Sequence, residues 1–205
     1  MSERPSKPVI GLAGGIGSGK SAVADILEQL GCVVAHSDEV GRAALRDPAI
    51  RDELVAWWGE TILDGAGEID RSAVAAIVFA DPAQRRRLEA LTHPWIEAKR
   101  ATQFAAAPPE APALVIDAPL LFEADLDKKC DAVIFVDAPR QTRLNRLRSG
   151  RGWQEEDLRR REDSQLPLDV KRSRADYVIQ NDGDLSDLVV QVRSTLSEIV
   201  ASRRL

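Results

Sequence analysis

The segment VIGLAGGIGSGKS at positions 9–21 sets glycines, a lysine and a hydroxyl directly behind an apolar run. Gly14, four further residues, then Gly19, Lys20 and Ser21 satisfy the G-x-x-x-x-G-K-[ST] spacing of a phosphate-binding loop. Glycines at 14, 15, 17 and 19 are free to take positive φ and let main-chain N–H groups converge on phosphate oxygens. A helix starting near Lys20 adds free N–H groups and the positive end of its dipole. Lys20 supplies a point charge to the β- and γ-phosphates, and the Ser21 hydroxyl is a ligand for Mg²⁺. The expected occupant is a nucleoside triphosphate.

Three aspartates close three other apolar runs. Asp38 ends CVVAHSD, Asp117 stands in ALVIDA, and Asp137 stands in AVIFVDA. In a doubly wound sheet the carboxyl ends of the strands face the ligand crevice. Asp38 is therefore placed to take a proton from an acceptor hydroxyl, although Ser37 or Asp38 also suits the N-cap of the helix that begins EVGRAAL. Asp117 is placed for Mg²⁺ or its bound water, with a turn or cap as the other reading. Asp137, before Ala-Pro, reads mainly as turn chemistry.

The elements that must carry these groups are visible as apolar runs at 9–13, 32–38, 113–118, 132–138 and 175–182. Most look buried on both faces, as parallel strands are. Helical patterns lie between them: Val23, Ile26, Leu27 and Leu30 before Gly31, and Leu188, Val189, Val192, Leu196, Ile199 and Val200 after a candidate cap at Asp184. The fold class expected is α/β, a P-loop kinase-like doubly wound parallel five-stranded sheet. Residues 8–38, 113–140 and 175–205 would form the nucleotide-binding core. Residues 39–112 are too long for a crossover and read as an inserted helical subdomain closed by the stiff AAAPPEAP linker. Residues 141–174 read as an Arg-rich helical lid with a hinge at SGRG.

Of the 205 residues 44% are hydrophobic and 30% charged, which places the chain among soluble globular proteins. No apolar stretch approaches the roughly 20 residues of a membrane span. MSERPSKP lacks the apolar region of a secretory signal, so the expected location is the cytoplasm. Cys32 and Cys130 have no close-spaced partner and read as small buried hydrophobes. A net charge of −5 argues against general nucleic-acid binding. The arginines crowded at 85–90 and 142–153 suggest an anionic small molecule, with a solvated helix face as the alternative. Trp57, Trp58, Trp95 and Trp153 read as packing residues.

The loop alone does not separate kinases from other nucleotide hydrolases. No N/T-K-x-D segment follows the fourth run, where FVDAPRQTR stands, so a GTPase is disfavoured. The segments GLAGGIGSGKS, HSDEVGRAAL, LTHPWI, IDAPLLFE and KRSRADYVIQNDG, in that order, resemble those of the dephospho-CoA kinase family, from about Val9 to about Arg203. That resemblance implies ATP-dependent phosphorylation of the ribose 3′-hydroxyl of dephospho-CoA. It also implies Mg²⁺, a nucleotide core, a helical CoA-binding domain and a lid. By motif, Asp38 matches the general base, and Gly17, Ser18, Gly19, Lys20, Ser21 and Ala22 match the ATP loop together with Gly15. Arg42, Arg71 and His93 match the acceptor side. The residues alone leave His93 before Pro94 as a structural cap, and Arg71 as a cap of its neighbouring helix.

Leu120, Leu121 and Phe122 read as pocket wall or core, and Glu123 as a group that orients a substrate polar atom. There are two departures from the family pattern. His36 stands where many members carry an acid, and Gly150 occupies the direct match of the lid arginine. Arg148 or Arg151 is then the candidate to offset charge on the transferred phosphoryl group, with Arg143 and Arg146 on the same helix as competitors. No membrane or nucleic-acid partner is expected, and the oligomeric state is left open. Kinases of another small acceptor, and an ATP-dependent switch, are the rival readings.

Overall fold

The computed structural model describes residues 7–202. The reading of the first residues as lacking a signal, and residues 203–205 of the expected core, lie outside that range. In chain order the elements are β1 (Val9–Gly14), α1 (Lys20–Gln29), β2 (Val33–His36), α2 (Ser37–Ala44), α3 (Pro48–Trp58), α4 (Arg71–Ala80), α5 (Pro82–Ala105), β3 (Leu114–Asp117), β4 (Ala132–Asp137), α6 (Arg140–Arg151), α7 (Glu155–Glu162), α8 (Leu168–Ser173), β5 (Tyr177–Gln180) and α9 (Leu185–Ser202). They divide into a helical unit, His36–Ala106, and a core unit formed by the chain before and after it.

The core unit carries the sheet, in the order β2-β3-β1-β4-β5. β1 runs parallel to β3 and to β4, and β4 runs parallel to β5. β1 is buried along its whole length, which is why VIGLAG shows no polar alternation. Ile10 and Leu12 point to the face covered by α1 and α9, where Val23, Ile26, Leu27, Leu188, Val192, Leu196 and Ile199 close the core. The two helical stripes read from the sequence are the buried faces of these helices. α1 ends in a Schellman turn: Cys32 N–H donates to Leu27 O (3.0 Å) and Gly31 N–H to Glu28 O (2.8 Å). Gly31 has φ 87° there, a value that glycine adopts without the Cβ penalty. The Asp184 carboxylate accepts from Asp187 N (2.9 Å) and caps α9 as its position suggested.

The helical unit builds its own core from Ala44, Ile50, Leu54, Ile62, Ile69 and Val74. Trp57, Trp58 and Trp95 pack against that core from partly buried positions. Its helices begin at short acidic signals. Asp47 accepts from Ala49 N (3.1 Å), Asp70 from Ser72 N (2.8 Å) and Asp81 from Ala83 N (2.7 Å). Proline follows the first and third of these, at the start of α3 and α5. A hydrogen bond from Trp95, ahead of bonds from Ile50 and Ala49, holds the Asp47 carboxyl below its ordinary range.

Several boundaries differ from the sequence reading. The strand at 32–38 stops at His36, because α2 starts at Ser37. The units part at 36 and 106 rather than at 39 and 112, and the Pro-rich segment goes with the core, where Lys7 Nζ donates to Pro109 O (2.5 Å). Within SGRG, Ser149, Gly150 and Arg151 continue α6, and the chain turns at the final glycine, Gly152 (φ 67°). Residues 141–174, read as a lid, fall within the core unit. Cys32 is buried, and burial pushes its thiol up to about 11, so it stays protonated and unreactive at neutral pH. Cys130 is partly buried and donates to Leu126 O (3.2 Å).

Candidate active site

The loop between β1 and α1 stands on the central strand of the sheet. Only two of its glycines take positive φ, Gly17 (79°) and Gly19 (88°). Gly14 and Gly15 are needed for a different reason from the freedom expected of them, namely close approach. A Cβ on Gly14 would lie 2.7 Å from Ser18 Oγ and 2.8 Å from Val136 O, and one on Gly15 would press on Leu168 and Arg143. Gly19 caps α1 without a side-chain acceptor. Among the described residues the main-chain N–H groups of Gly17, Gly19, Lys20 and Ser21 donate to no protein atom. Ser18 is buried, and its hydroxyl also lacks a partner among the described residues. Ala22 N–H closes onto Gly19 O (3.0 Å), and the Ser21 side chain is exposed. A run of free donors at a helix start attracts an anion, because the alternative is an unpaired dipole.

Lys20 Nζ pairs with Asp117 at the end of β3, both groups being largely buried. The expected metal-side carboxylate and the expected phosphate-side cation thus hold each other. Asp137 at the end of β4 pairs with Arg172 (2.7 Å), and its carbonyl accepts from Asn181 N (2.8 Å), so it acts in more than a turn.

The arginines of α6 divide by face. Arg143 is buried and donates through Nη1 to Ile16 O (3.1 Å) and Glu162 (2.6 Å). Arg146 donates to Ser18 O (3.1 Å) and to Asn181 O (3.0 Å). Arg148 and Arg151, the arginines expected at the phosphates, are exposed, and Arg151 lies over Trp153 at 5.3 Å. The reason is helical phase: Arg143 lies beside Leu144 and Leu147, which are buried, and Arg146 beside Leu147, so these two turn toward the protein. Asn181 went unread as a site residue, although the quoted segment RADYVIQNDG contains it. Its Nδ2 donates to Ser18 O at 2.7 Å. A polar amide just past a strand end was the available signal.

Glu123, expected to orient a substrate atom, is engaged through Oε1 only; its buried Oε2 makes no hydrogen bond among the described residues. It accepts from Leu166 N (2.9 Å) and pairs with Lys171 (2.8 Å), whose side chain is 1% exposed and also donates to Gln165. Burial acts to raise the Glu123 carboxyl, but the hydrogen bond from Lys171 and the main-chain donors outweigh it and hold the group below its ordinary range. A depressed carboxyl contributes stability that is present above its unfolded pKa, near 4.3, and lost as pH falls through the lower folded value. Glu123→Ala leaves the buried Lys171 without its counter-charge, with only the Gln165 hydrogen bond remaining, and an expected loss of about 3 kcal/mol. A urea melt at pH 7 checks this, and an unchanged midpoint excludes it. Leu121 and Phe122 are core rather than pocket wall, with Arg174 over the Phe122 ring at 4.6 Å. Leu120 is partly buried.

Within the helical unit Asp38 lies in the first turn of α2, whose N-cap position is His36. It therefore neither ends the strand nor caps the helix. Its side chain is exposed and makes no hydrogen bond among the described residues. Arg42, Arg71 and His93 are exposed as well. Arg71 opens α4, whose cap is Asp70, and His93 lies inside α5, which runs through Pro94, so neither serves as a cap. α2 and α4 both pack on α5. Arg85 pairs with Glu89 (2.9 Å) and Arg87 covers Trp57 (3.8 Å), the solvated-face reading of that cluster.

Residues 8–187 match the family model of dephospho-CoA kinases. A dephospho-CoA kinase of Corynebacterium glutamicum is 42% identical over 195 residues, 94% of this chain and 97% of its own. The crystal structure of a Thermus thermophilus protein superposes with a TM-score of 0.84 at 34% identity, covering 94% of this chain and 97% of that one. The dephospho-CoA kinase of Campylobacter jejuni gives 0.69 at 25% identity, over 96% and 98%. With its loop, its sheet order and these relatives, the chain belongs to the dephospho-CoA kinase family.

Proposed function

We propose that the protein transfers the γ-phosphoryl group of ATP to the ribose 3′-hydroxyl of dephospho-CoA, giving coenzyme A. The observation that carries this reading is the loop of free N–H groups at Gly17, Gly19, Lys20 and Ser21, in a chain of this family. The triphosphate satisfies those donors, and Lys20 moves from Asp117 to the β- and γ-phosphates. The acceptor hydroxyl passes its proton to Asp38, whose carboxylate is committed to nothing else among the described residues. Arg42 and Arg71, which form no ion pair among the described residues, and His93 serve the anionic acceptor, as residues 39–112 supply its binding domain. Arg148 or Arg151, exposed on α6, offsets charge on the moving group as residues 141–174 act as a lid. The surroundings of such a reaction are the cytoplasmic ATP pool.

Mg²⁺ fits the donors present. Among the described residues no group of three or more His, Cys, Asp or Glu gathers to cage a metal. Mg²⁺ commonly takes one or two protein oxygens and completes its shell with phosphates and water. The exposed Ser21 hydroxyl and the Asp117 carboxylate would hold it. The ion would supply charge neutralisation on the phosphate oxygens.

A labelled-ATP assay tests the reading against a panel of dephospho-CoA, nucleosides, nucleoside monophosphates and sugar acids. Label is expected in coenzyme A, at least 100-fold above the other acceptors by kcat/KM, a margin of about 2.7 kcal/mol. Preferential labelling of another acceptor, or ATP hydrolysis without transfer, overturns it.

A further inference from the structure

Two carbonyls of the phosphate loop, at alternate residues, are each held by an arginine of α6. Arg143 Nη1 donates to Ile16 O at 3.1 Å, and Arg146 Nη1 donates to Ser18 O at 3.1 Å. Ser18 O takes a second bond from Asn181 Nδ2 at 2.7 Å. Arg146 Nη2 then bonds Asn181 through its main-chain oxygen (3.0 Å) and its side-chain oxygen (3.3 Å), so the three residues close a triangle. Asn181 is 7% exposed and Arg143 4%. Asn181 Nδ2 lies so close to Gly19 that no Cβ fits there.

A trans peptide is planar, and its C=O and the following N–H point in opposite directions. Holding the Ile16 carbonyl toward α6 turns the Gly17 N–H away from it, and holding the Ser18 carbonyl does the same for the Gly19 N–H. These are two of the loop donors without a protein acceptor among the described residues. Charge on the arginine also polarises each peptide, which strengthens the donor on its other side. We infer that Arg143 and Arg146, with Asn181, are positioning residues that aim and polarise the Gly17 and Gly19 amides for the triphosphate. They act through the Ile16 and Ser18 carbonyls and touch no phosphate themselves. This rests on the reading of the loop as an ATP site, but not on the identity of the acceptor.

The test is Arg146→Met, which keeps the apolar stem and removes the donors. ATP and adenosine affinities are measured by equilibrium titration, and the amide ¹⁵N shifts of Gly17 and Gly19 are recorded without ligand. A charged hydrogen bond to the loop is expected to be worth roughly 10- to 100-fold in ATP affinity. Adenosine affinity is expected to stay within twofold, and the Gly19 ¹⁵N resonance to move more than that of Gly17. Arg146→Lys, which reaches one carbonyl but not both, is expected to recover part of the ATP affinity. Should Arg146→Met not fold, Asn181→Ala carries the same readouts, with a smaller loss. ATP affinity within twofold of the natural protein overturns the inference. So does an equal loss for ATP and adenosine, which would indicate a general structural role. A natural protein that binds ATP through the loop yet fails to phosphorylate dephospho-CoA overturns the proposed reaction and leaves this inference standing.

Discussion

Lys20→Ala is expected to lower kcat/KM for ATP by roughly three orders of magnitude, about 4 kcal/mol of transition-state stabilisation. The lysine opens α1 beside the free loop amides, where the triphosphate charge concentrates. The ion pair with Asp117 adds a second effect. Removing the ammonium leaves a carboxylate that is 7% exposed without that partner, so the variant is also expected to melt earlier. Lys20→Met with Asp117→Asn separates the two effects. The pair is replaced by neutral groups, so the melting temperature is expected to return toward that of the natural protein, while turnover stays low. Full recovery of turnover in the double variant would show that Lys20 serves only to neutralise Asp117.

Asp38→Asn is expected to lower kcat by at least two orders of magnitude, the lower end of what a positioned base contributes, roughly 10² to 10⁴. Stability is expected to be unaffected, because the side chain is exposed and makes no hydrogen bond among the described residues. Such surface changes stay within about 0.5 kcal/mol. His36, two residues before it, supplies no second carboxylate at that point to substitute for Asp38. Single-turnover rates with saturating ATP and dephospho-CoA check this. A kcat within threefold of the natural value removes Asp38 as the base.

These two residues differ in how far the sequence could describe them. For Lys20 the loop spacing was enough to place the charge at a helix start, yet nothing near it in the chain announced Asp117, 97 residues away. For Asp38 the residue was legible and its setting was not. The apolar run CVVAHSD continues two residues past the strand that forms, and local hydrophobicity does not record where α2 takes over. His93 shows the same limit. His-Pro reads as a boundary, because the residue before proline avoids the helical region. The long helix α5 nonetheless runs through it, with Thr92 Oγ1 bonded to Leu88 O at 2.9 Å one residue earlier.

The sequence by itself determined what depends on contiguous residues. The phosphate loop, the five apolar runs, the amphipathic stripes of α1 and α9, the Gly31 stop and the Asp184 cap are each written within one or two helical turns, where backbone geometry and side-chain periodicity act. Only the tertiary structure decided which distant groups meet: Arg143 and Arg146 at the carbonyls of the loop, Asn181 against Ser18 across 163 residues, and Glu123 on Lys171. Neighbouring arginines on one helix are chemically alike. Their roles separate through the rotation of α6 against β1 and its loop, a quantity set by close packing of the whole core and carried by no local pattern.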